Sequence, residues 1–318
     1  MSMSTPIFVL GEALMDCIAQ PDGRLLPCMG GSPFNMARAA ALQGAKVAYL
    51  NPLSSDLFGQ GLAQLMQKDG VQMPGGTSRL PTSLAVVQVT KGQPSYSFYR
   101  EGIADRDYSE DGVLALLRQQ KTPGILHTGS LLLIPPEHSK VVAILKSARN
   151  LGWTISVDIN LRPKVAPDLA EYVKALHEVI PLTDWLKASD EDLETMGLKG
   201  VAIGESARLV HELRELRELH AGVAPNALSR VALTFGDEGA YLDIEGQTHS
   251  LPVPNISVAD TVGAGDTFWG SALADWAMRP NVALERVAMT LDHAMKAAAI
   301  NCTRQGCQPP TRAEVLAF

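Results

Sequence analysis

Cysteine, positive charge and long apolar runs are all lacking in this 318-residue chain, and each shortage removes a class of function. Cys17, Cys28, Cys302 and Cys307 are too few and too scattered for a disulfide scaffold and are expected to be free thiols. Four residues separate Cys302 from Cys307, and no histidine or second cysteine pair lies nearby to complete a closed zinc site. The net charge of −7 offers no basic surface to hold nucleic acid or an acidic membrane by counterion release. No apolar run approaches the ~20 residues of a membrane span. The opening residues Met1-Ser2-Met3-Ser4-Thr5 lack the charged and apolar regions of a signal peptide. A cytoplasmic protein without nucleic-acid or membrane partners is therefore expected. Missing too are a GxxxxGK[ST] pattern and a GxGxxG after the first strand, so P-loop enzymes and dinucleotide dehydrogenases have no support.

What is present is a hydrophobic content of 46%, enough for one large α/β domain with a sizeable core. Short apolar runs at 6–10, 46–50, 125–128, 153–158, 185–188 and 231–235 read as buried strands. Helical patterns lie between them, among them 57–69 and 207–220, and this alternation argues a parallel sheet with helices on its faces. Two stretches break the rhythm. Residues 12–30 carry Pro, Gly and Asp and read as a hairpin-like excursion, and 84–89 with 95–100 read as an antiparallel hairpin around Lys91-Gly92-Gln93-Pro94. Paired together, they would form a small sheet over the ligand face, a lid. Its apolar residues Val86, Val89, Tyr96, Phe98 and Tyr99 are too many for a free flap, and a homodimer through the lid is expected.

Polar residues recur where strands end: Glu12 and Asp16; Thr128 and Ser130; Asp158, Asn160 and Arg162; Lys187, Ser189, Asp190 and Asp192; Thr234, Gly236 and Gly239. Open parallel sheets bind ligands at that edge, so the clusters point to one shared cleft. In Gly30-Gly31-Ser32-Pro33-Phe34-Asn35, Ser32 can cap a helix, Pro33 suits its first turn, and Asn35 can present an amide to a polyhydroxylated ligand or simply face solvent. The stretch Asp260-Thr261-Val262-Gly263-Ala264-Gly265-Asp266-Thr267-Phe268 joins a small-residue loop to a helix start whose free N–H groups suit an anion. A carboxylate beside a bound anion needs a reason. Asp266 is either a general base taking a proton from an attacking hydroxyl or an ordinary acidic residue favoured by the helix dipole.

Together these residues resemble the ribokinase-like, or PfkB-type, carbohydrate kinases over nearly the whole chain. Two signatures, 30–35 and 260–268, stand at the separation expected for that family. Within it the chain looks most like the fructokinases, through Gly11-Glu12 with Asp16, Phe98-Tyr99-Arg100 with Ala104-Asp105, His127-Thr128-Gly129-Ser130 and Asp158-Ile159-Asn160-Leu161-Arg162. The resemblance implies a three-layer αβα sandwich with a mostly parallel central sheet, one domain over 1–318, and a small β lid from about 12–30 and 83–108. It implies ATP-dependent phosphorylation of a sugar hydroxyl with Mg²⁺, fructose being the expected acceptor. A 2-keto-3-deoxygluconate or nucleoside kinase, or a sugar-binding regulator without turnover, stays open as an alternative. By the same resemblance Asp266 matches the catalytic base, Gly263, Ala264 and Gly265 the anion hole, and Asp16, Gly31 and Asn35 sugar contacts. Phe98, Arg100 and Arg162 take substrate-side positions, while Thr234, Gly236, Gly239 and Asn301, within 298–306, fall at the nucleotide. Where the family has Asn-x-x-Glu, this chain reads Ser189-Asp190-Glu191-Asp192, leaving Asp192 for a metal contact through water. A monovalent cation such as K⁺ is expected beside carbonyls near Val258, Asp260 and Arg304.

Overall fold

A computed structural model describes residues 4–20, 22–90, 93–218, 228–279 and 286–318, without the side chains of 87–90, 93–96, 217 and 218. Its strands, in chain order, are β1 (Ile7–Val9), β2 (Leu14–Ala19), β3 (Leu25–Gly30), β4 (Val47–Tyr49), β5 (Leu53–Ser54), β6 (Thr77–Ser78), β7 (Ser83–Thr90) and β8 (Gln93–Tyr99). They continue as β9 (Ile125–Gly129), β10 (Thr154–Asp158), β11 (Trp185–Ser189), β12 (Arg230–Thr234), β13 (Ala240–Ile244) and β14 (Gln247–Leu251). The helices are α1 (Ser32–Leu42), α2 (Leu57–Lys68), α3 (Glu110–Arg118), α4 (His138–Asn150), α5 (Leu169–Val179), α6 (Asp190–Thr195), α7 (Ser206–Glu218), α8 (Ala264–Met278), α9 (Val287–Cys302) and α10 (Arg312–Ala317). The 207–220 helix is thus present as far as 218, its last two residues lying outside those described.

Eight strands form the central sheet in the order β14-β13-β12-β11-β10-β9-β1-β4, parallel except for the antiparallel β12-β13-β14 edge. Alternation along each strand sends neighbouring side chains to opposite faces and so makes two cores. Phe8, Leu126, Ile155, Val157, Leu186, Val231 and Leu233 meet α3, α4, α5 and α7 on one face. Ile7, Val9, Val47, Tyr49, Ile125 and Ala232 meet α1, α2, α8 and α9 on the other. The three-layer αβα architecture expected from the sequence is what is found. Strands β3-β2-β7-β8 make a separate four-stranded sheet in which the 12–30 excursion and the 83–99 hairpin join through parallel pairing of β2 with β7. Val89 and Tyr96 of that sheet lie outside the described side chains. Among the described residues, no helix is long and apolar enough to cross a membrane.

The site is positioned by the crossing of α1 and α8. Phe34, Met36, Trp269 and Leu273 are fully or almost fully buried there, each contributing about 1.5–3 kcal/mol. A hydrogen bond contributes about 0.5–1.5 kcal/mol net, or about 1.5–3 to a charged group, so the four apolar side chains together outweigh the polar contacts between these helices. Trp269 also donates Nε1–H to Ser156 Oγ (3.0 Å), pinning α8 to β10. Gly270 sets the spacing, because a Cβ there would lie 2.6 Å from the Met36 carbonyl oxygen and 2.9 Å from the Ala39 methyl carbon. Gly270→Ala is therefore expected to lower stability by about 1–3 kcal/mol through overpacking, despite alanine's higher helix propensity. A thermal midpoint at or above that of the wild type would show that the helices can part at no cost.

Candidate active site

The loop at 260–265 is held from several sides. Asp260 Oδ1 accepts the Val262 amide (3.0 Å), while its Oδ2 accepts the Gly306 amide (2.8 Å) and the Gln305 side-chain amide (2.9 Å). Gly263 caps α8 in a left-handed conformation, φ 73°, and a Cβ there would come within 2.2 Å of Cys307 Sγ, so both backbone and space require glycine. The Ala264 amide is spent on the Thr261 carbonyl at 3.1 Å. Among the described residues the amides of Gly263, Gly265 and Asp266 have no partner, leaving an anion seat at the positive end of a 15-residue helix.

Asp266, in the first turn of α8, is buried and accepts from Ser32 Oγ–H at 2.7 Å and from Asn35 Nδ2–H at 2.9 Å. These contacts settle two sequence expectations differently from their first form. Ser32 does not cap α1: Gly31 is the capping residue, with φ 110°, and Ser32 inside the first turn turns its hydroxyl to Asp266. Asn35 does not face solvent, and its Oδ1 is buried without a partner, an acceptor aimed at the same space. Burial raises the Asp266 pKa, opposed by the Ser32 and Asn35 hydrogen bonds and by the charges of Lys187 and Arg162. The site therefore holds a carboxylate whose proton affinity exceeds that of an ordinary aspartate.

Around it the cleft is acidic, with three cations set among the carboxylates. Glu12 is buried and accepts the Ser32 amide (3.2 Å) with one oxygen, leaving the other unpartnered. Asp16 on β2 is raised to about 6, by burial and by Glu12 and Asp266, with Arg162 opposing. Arg162 is exposed on the loop after β10, its field reaching Glu12, Asp16 and Asp266. Arg100 is buried and donates to the Leu131 carbonyl at 3.4 Å, and its charge opposes the burial that raises Asp105 to about 7. Ser130 (φ 54°) and Asn160 (φ 40°), just beyond β9 and β10, hold strained backbone at this same edge.

The remaining expected residues are placed as follows. Phe98 is half-buried and packs on the core shared with α3–α5. Thr234, Gly236 (φ 51°) and Gly239 (φ 126°) form the β12–β13 turn. Asn301, expected at the nucleotide, is fully enclosed; its Nδ2–H bonds the Val262 carbonyl (2.9 Å) and its Oδ1 accepts the Gln308 amide (2.8 Å), so it braces the anion loop from behind. Asp192, expected near a metal-bound water, is 3% exposed and accepts the Leu161 amide (2.6 Å) and the Ser189 amide (2.8 Å) in a capping box. Lys187 was legible only as one of several strand-end polar residues, and the partners of Ser32 were not legible at all.

An anion seat and a buried carboxylate facing one space, at the carboxyl edge of a mostly parallel αβα sheet, define the ribokinase-like class of phosphoryl-transfer proteins. The profile of the pfkB family of carbohydrate kinases matches residues 4–314, and the chain belongs to that family. It is 29% identical to a fructokinase of Rhizobium leguminosarum bv. trifolii, over 90% of this chain and 84% of that one. It is 30% identical to a probable fructokinase-2 of Arabidopsis thaliana, over 97% and 94% of the two chains. The crystal structure of a fructokinase from Xylella fastidiosa with bound ATP superposes with a TM-score of 0.81 at 26% identity, covering 98% of this chain and 97% of that one.

The raised Asp16 gives a stability signature. Its folded value, about 6, lies above its ordinary 3.8, so its contribution favours the folded state below about 4 and is lost as pH rises through about 6. Asp16→Asn cannot ionise and is expected to melt higher than wild type at pH 8, with that advantage gone at pH 4. Equal midpoints at pH 8, read by scanning calorimetry without ligand, would show that Asp16 is not strained.

Proposed function

We propose that the protein is an ATP-dependent sugar kinase that transfers the γ-phosphoryl group to a hydroxyl of fructose. The observation that carries this reading is Asp266, buried beside the Gly265 amide and gripped by two side chains of α1. Fructokinase names among relatives of nearly full coverage, and ATP bound in a superposable fructokinase, support the substrates. In this reading Asp266 takes the proton of the attacking hydroxyl, and the amides of Gly263 and Gly265 stabilise charge building on the phosphoryl oxygens. Asp16 and the free Oδ1 of Asn35 accept from other sugar hydroxyls, with Gly31 allowing close approach. Phe98, Arg100 and Arg162 shape and charge the substrate side of the cleft, and the Gly236–Gly239 turn receives the nucleotide base.

Mg²⁺ would supply charge neutralisation on the phosphates. Among the described residues no cluster of three or more His, Cys, Asp or Glu could hold a metal, which fits a cation carried chiefly by phosphates and water. K⁺ is proposed beside the carbonyls near Val258, Asp260 and Arg304, segments drawn together by the Ala259 and Asp260 amides on the Cys302 carbonyl (2.8 and 3.2 Å). The small sheet is proposed as a lid and as the contact of a homodimer, because it exposes Leu25 (49%), Leu26 (51%) and Tyr99 (61%). Light scattering giving a mass near 34.0 kDa at micromolar concentration would oppose the dimer.

An ADP-release assay across a sugar and nucleoside panel tests the acceptor. Fructose is expected to lead, and another acceptor with a kcat/KM about tenfold higher, a gap of ~1.4 kcal/mol, would overturn that assignment. Asp266→Asn keeps the shape but cannot take the proton, so kcat should fall by about 10²–10⁴-fold while sugar and ATP dissociation constants stay within a few-fold. Near-normal turnover with only a lowered melting temperature would reduce Asp266 to a helix-terminal charge.

A further inference from the structure

Beneath the anion loop lies a buried ion pair that the reading above leaves unused. Strand register sets Asp158 on β10 directly beside Lys187 on β11, and both side chains point to the face covered by α1 and α8. Lys187 Nζ donates to both oxygens of Asp158, at 2.9 and 3.0 Å, with the two side chains 5% and 3% exposed. The ammonium also lies directly against Gly265, 3.2 Å from where a Cβ would stand, so the lysine head sits immediately beneath the anion loop in close contact with the residue preceding Asp266.

Ordinary structural duty accounts poorly for this pair. A buried ion pair stabilises little, because desolvation offsets the Coulomb gain, and well-packed apolar residues often do as well. Its location is more telling. Asp266 faces Ser32 and Asn35 from α1, Asp16 from β2, Asp158 from β10, Arg162 from the following loop, Lys187 from β11 and Cys307 from the C-terminal turn. Only Lys187 and Arg162 are cationic in that circle, and Arg162 is exposed and screened by solvent whereas Lys187 is enclosed. Burial pulls the Lys187 pKa down, but Asp158, Asp192 and Asp266 together hold it above its ordinary range. Its charge is therefore permanent in the working range.

We propose that Lys187 is a positioning residue of the transfer site, its ammonium seated beneath Gly265 and anchored by Asp158 as the fixed charge that keeps Asp266 an ionised base while enclosed. Asp158, raised by burial to about 7 with Lys187 opposing, holds the ammonium in place and tempers its field while ionised, so removing either partner should move Asp266 in opposite directions. The inference rests on Asp266 being the base, and its test includes a readout that does not depend on turnover. In Lys187→Met the acid limb of kcat/KM for fructose should move to higher pH by about one pH unit or more, and in Asp158→Asn it should move lower. Should Lys187→Met not fold, the double variant Asp158→Asn/Lys187→Met leaves no unpaired buried charge. Its limb should then lie about one pH unit above that of Asp158→Asn. In parallel, the Asp266 carboxyl carbon, assigned by its loss in Asp266→Asn, is titrated by ¹³C NMR on each full-length protein without ligand. The titration should shift with the same signs. An Asp266 that titrates at one pH in all variants overturns the proposal even where activity is lost. If wild type phosphorylates no sugar, the kinase reading falls while the NMR titration still decides the role of Lys187.

Discussion

The site depends on one close approach, that of α1 and α8, which sets the Asp266 carboxylate against Ser32 and Asn35 across sequence separations of 234 and 231 residues. Two helix N-termini must meet for it to exist, and each is built for approach. Gly31 opens α1 in a conformation few other residues adopt, and Gly263 does the same for α8. The meeting itself rests chiefly on apolar packing, since Phe34, Met36 and Trp269 together contribute more than the two hydrogen bonds to the carboxylate. The polar geometry is thus a consequence of how closely α1 and α8 can lie, and Gly270 fixes that distance.

From that point the electrostatics follow. An enclosed carboxylate must be compensated or protonated. The fold offers two hydroxyl- or amide-type donors on α1 and one enclosed ammonium on β11, both on the same side of the sheet because alternating strand residues face α8. Parallel strands supply such groups at one edge without disturbing the core: Val157 and Leu186 point into the opposite layer while Asp158 and Lys187 point under the anion loop. His127 belongs to the same row, neutral at physiological pH because burial and Lys187 push it down to about 3, and it is satisfied by Ser156 at 3.0 Å.

How much of this was legible in the sequence follows from how local each signal is. The βα alternation marked β1, β4 and β9–β12 nearly residue by residue, because buried parallel strands are short apolar runs. Strand β14 escaped, since Gln247–Leu251 is largely polar and solvent-facing and lacks a period-2 apolar signal, whereas β13, Ala240–Ile244, is buried throughout and was passed over for the glycine turn that precedes it. Helix α8 is buried nearly all round, so no amphipathic stripe announced its extent. At the site, Asp266 and Gly263 were readable from a local loop-to-helix pattern. Ser32 was misread as a cap because a cap is the local use of serine, whereas its partner lies in another part of the chain. Asn301 and Asp192 were read as ligand-facing when their side chains are spent on backbone amides and carbonyls.

The carboxylates of the cleft set what it can receive. Glu12, Asp16, Asp105 and Asp266 are all raised chiefly by burial, so each would be more comfortable protonated or in contact with a donor. A polyhydroxylated ligand brings several O–H donors and no charge, which satisfies acceptors such as Asn35 Oδ1 and Glu12 Oε2 without adding repulsion. An anionic ligand fits less well on the Asp16 side, where Glu12 and Asp266 add their charge to that of Asp16 and Arg162 opposes them, than at the Gly263 and Gly265 amides, where the helix-terminal N–H groups offset the neighbouring Asp266. The acidic surroundings of Asp16 thus suit a neutral polyol and the Gly263 and Gly265 amides a phosphate, with Asp266 coupled electrostatically to Asp16 and placed in the same helix turn as those amides.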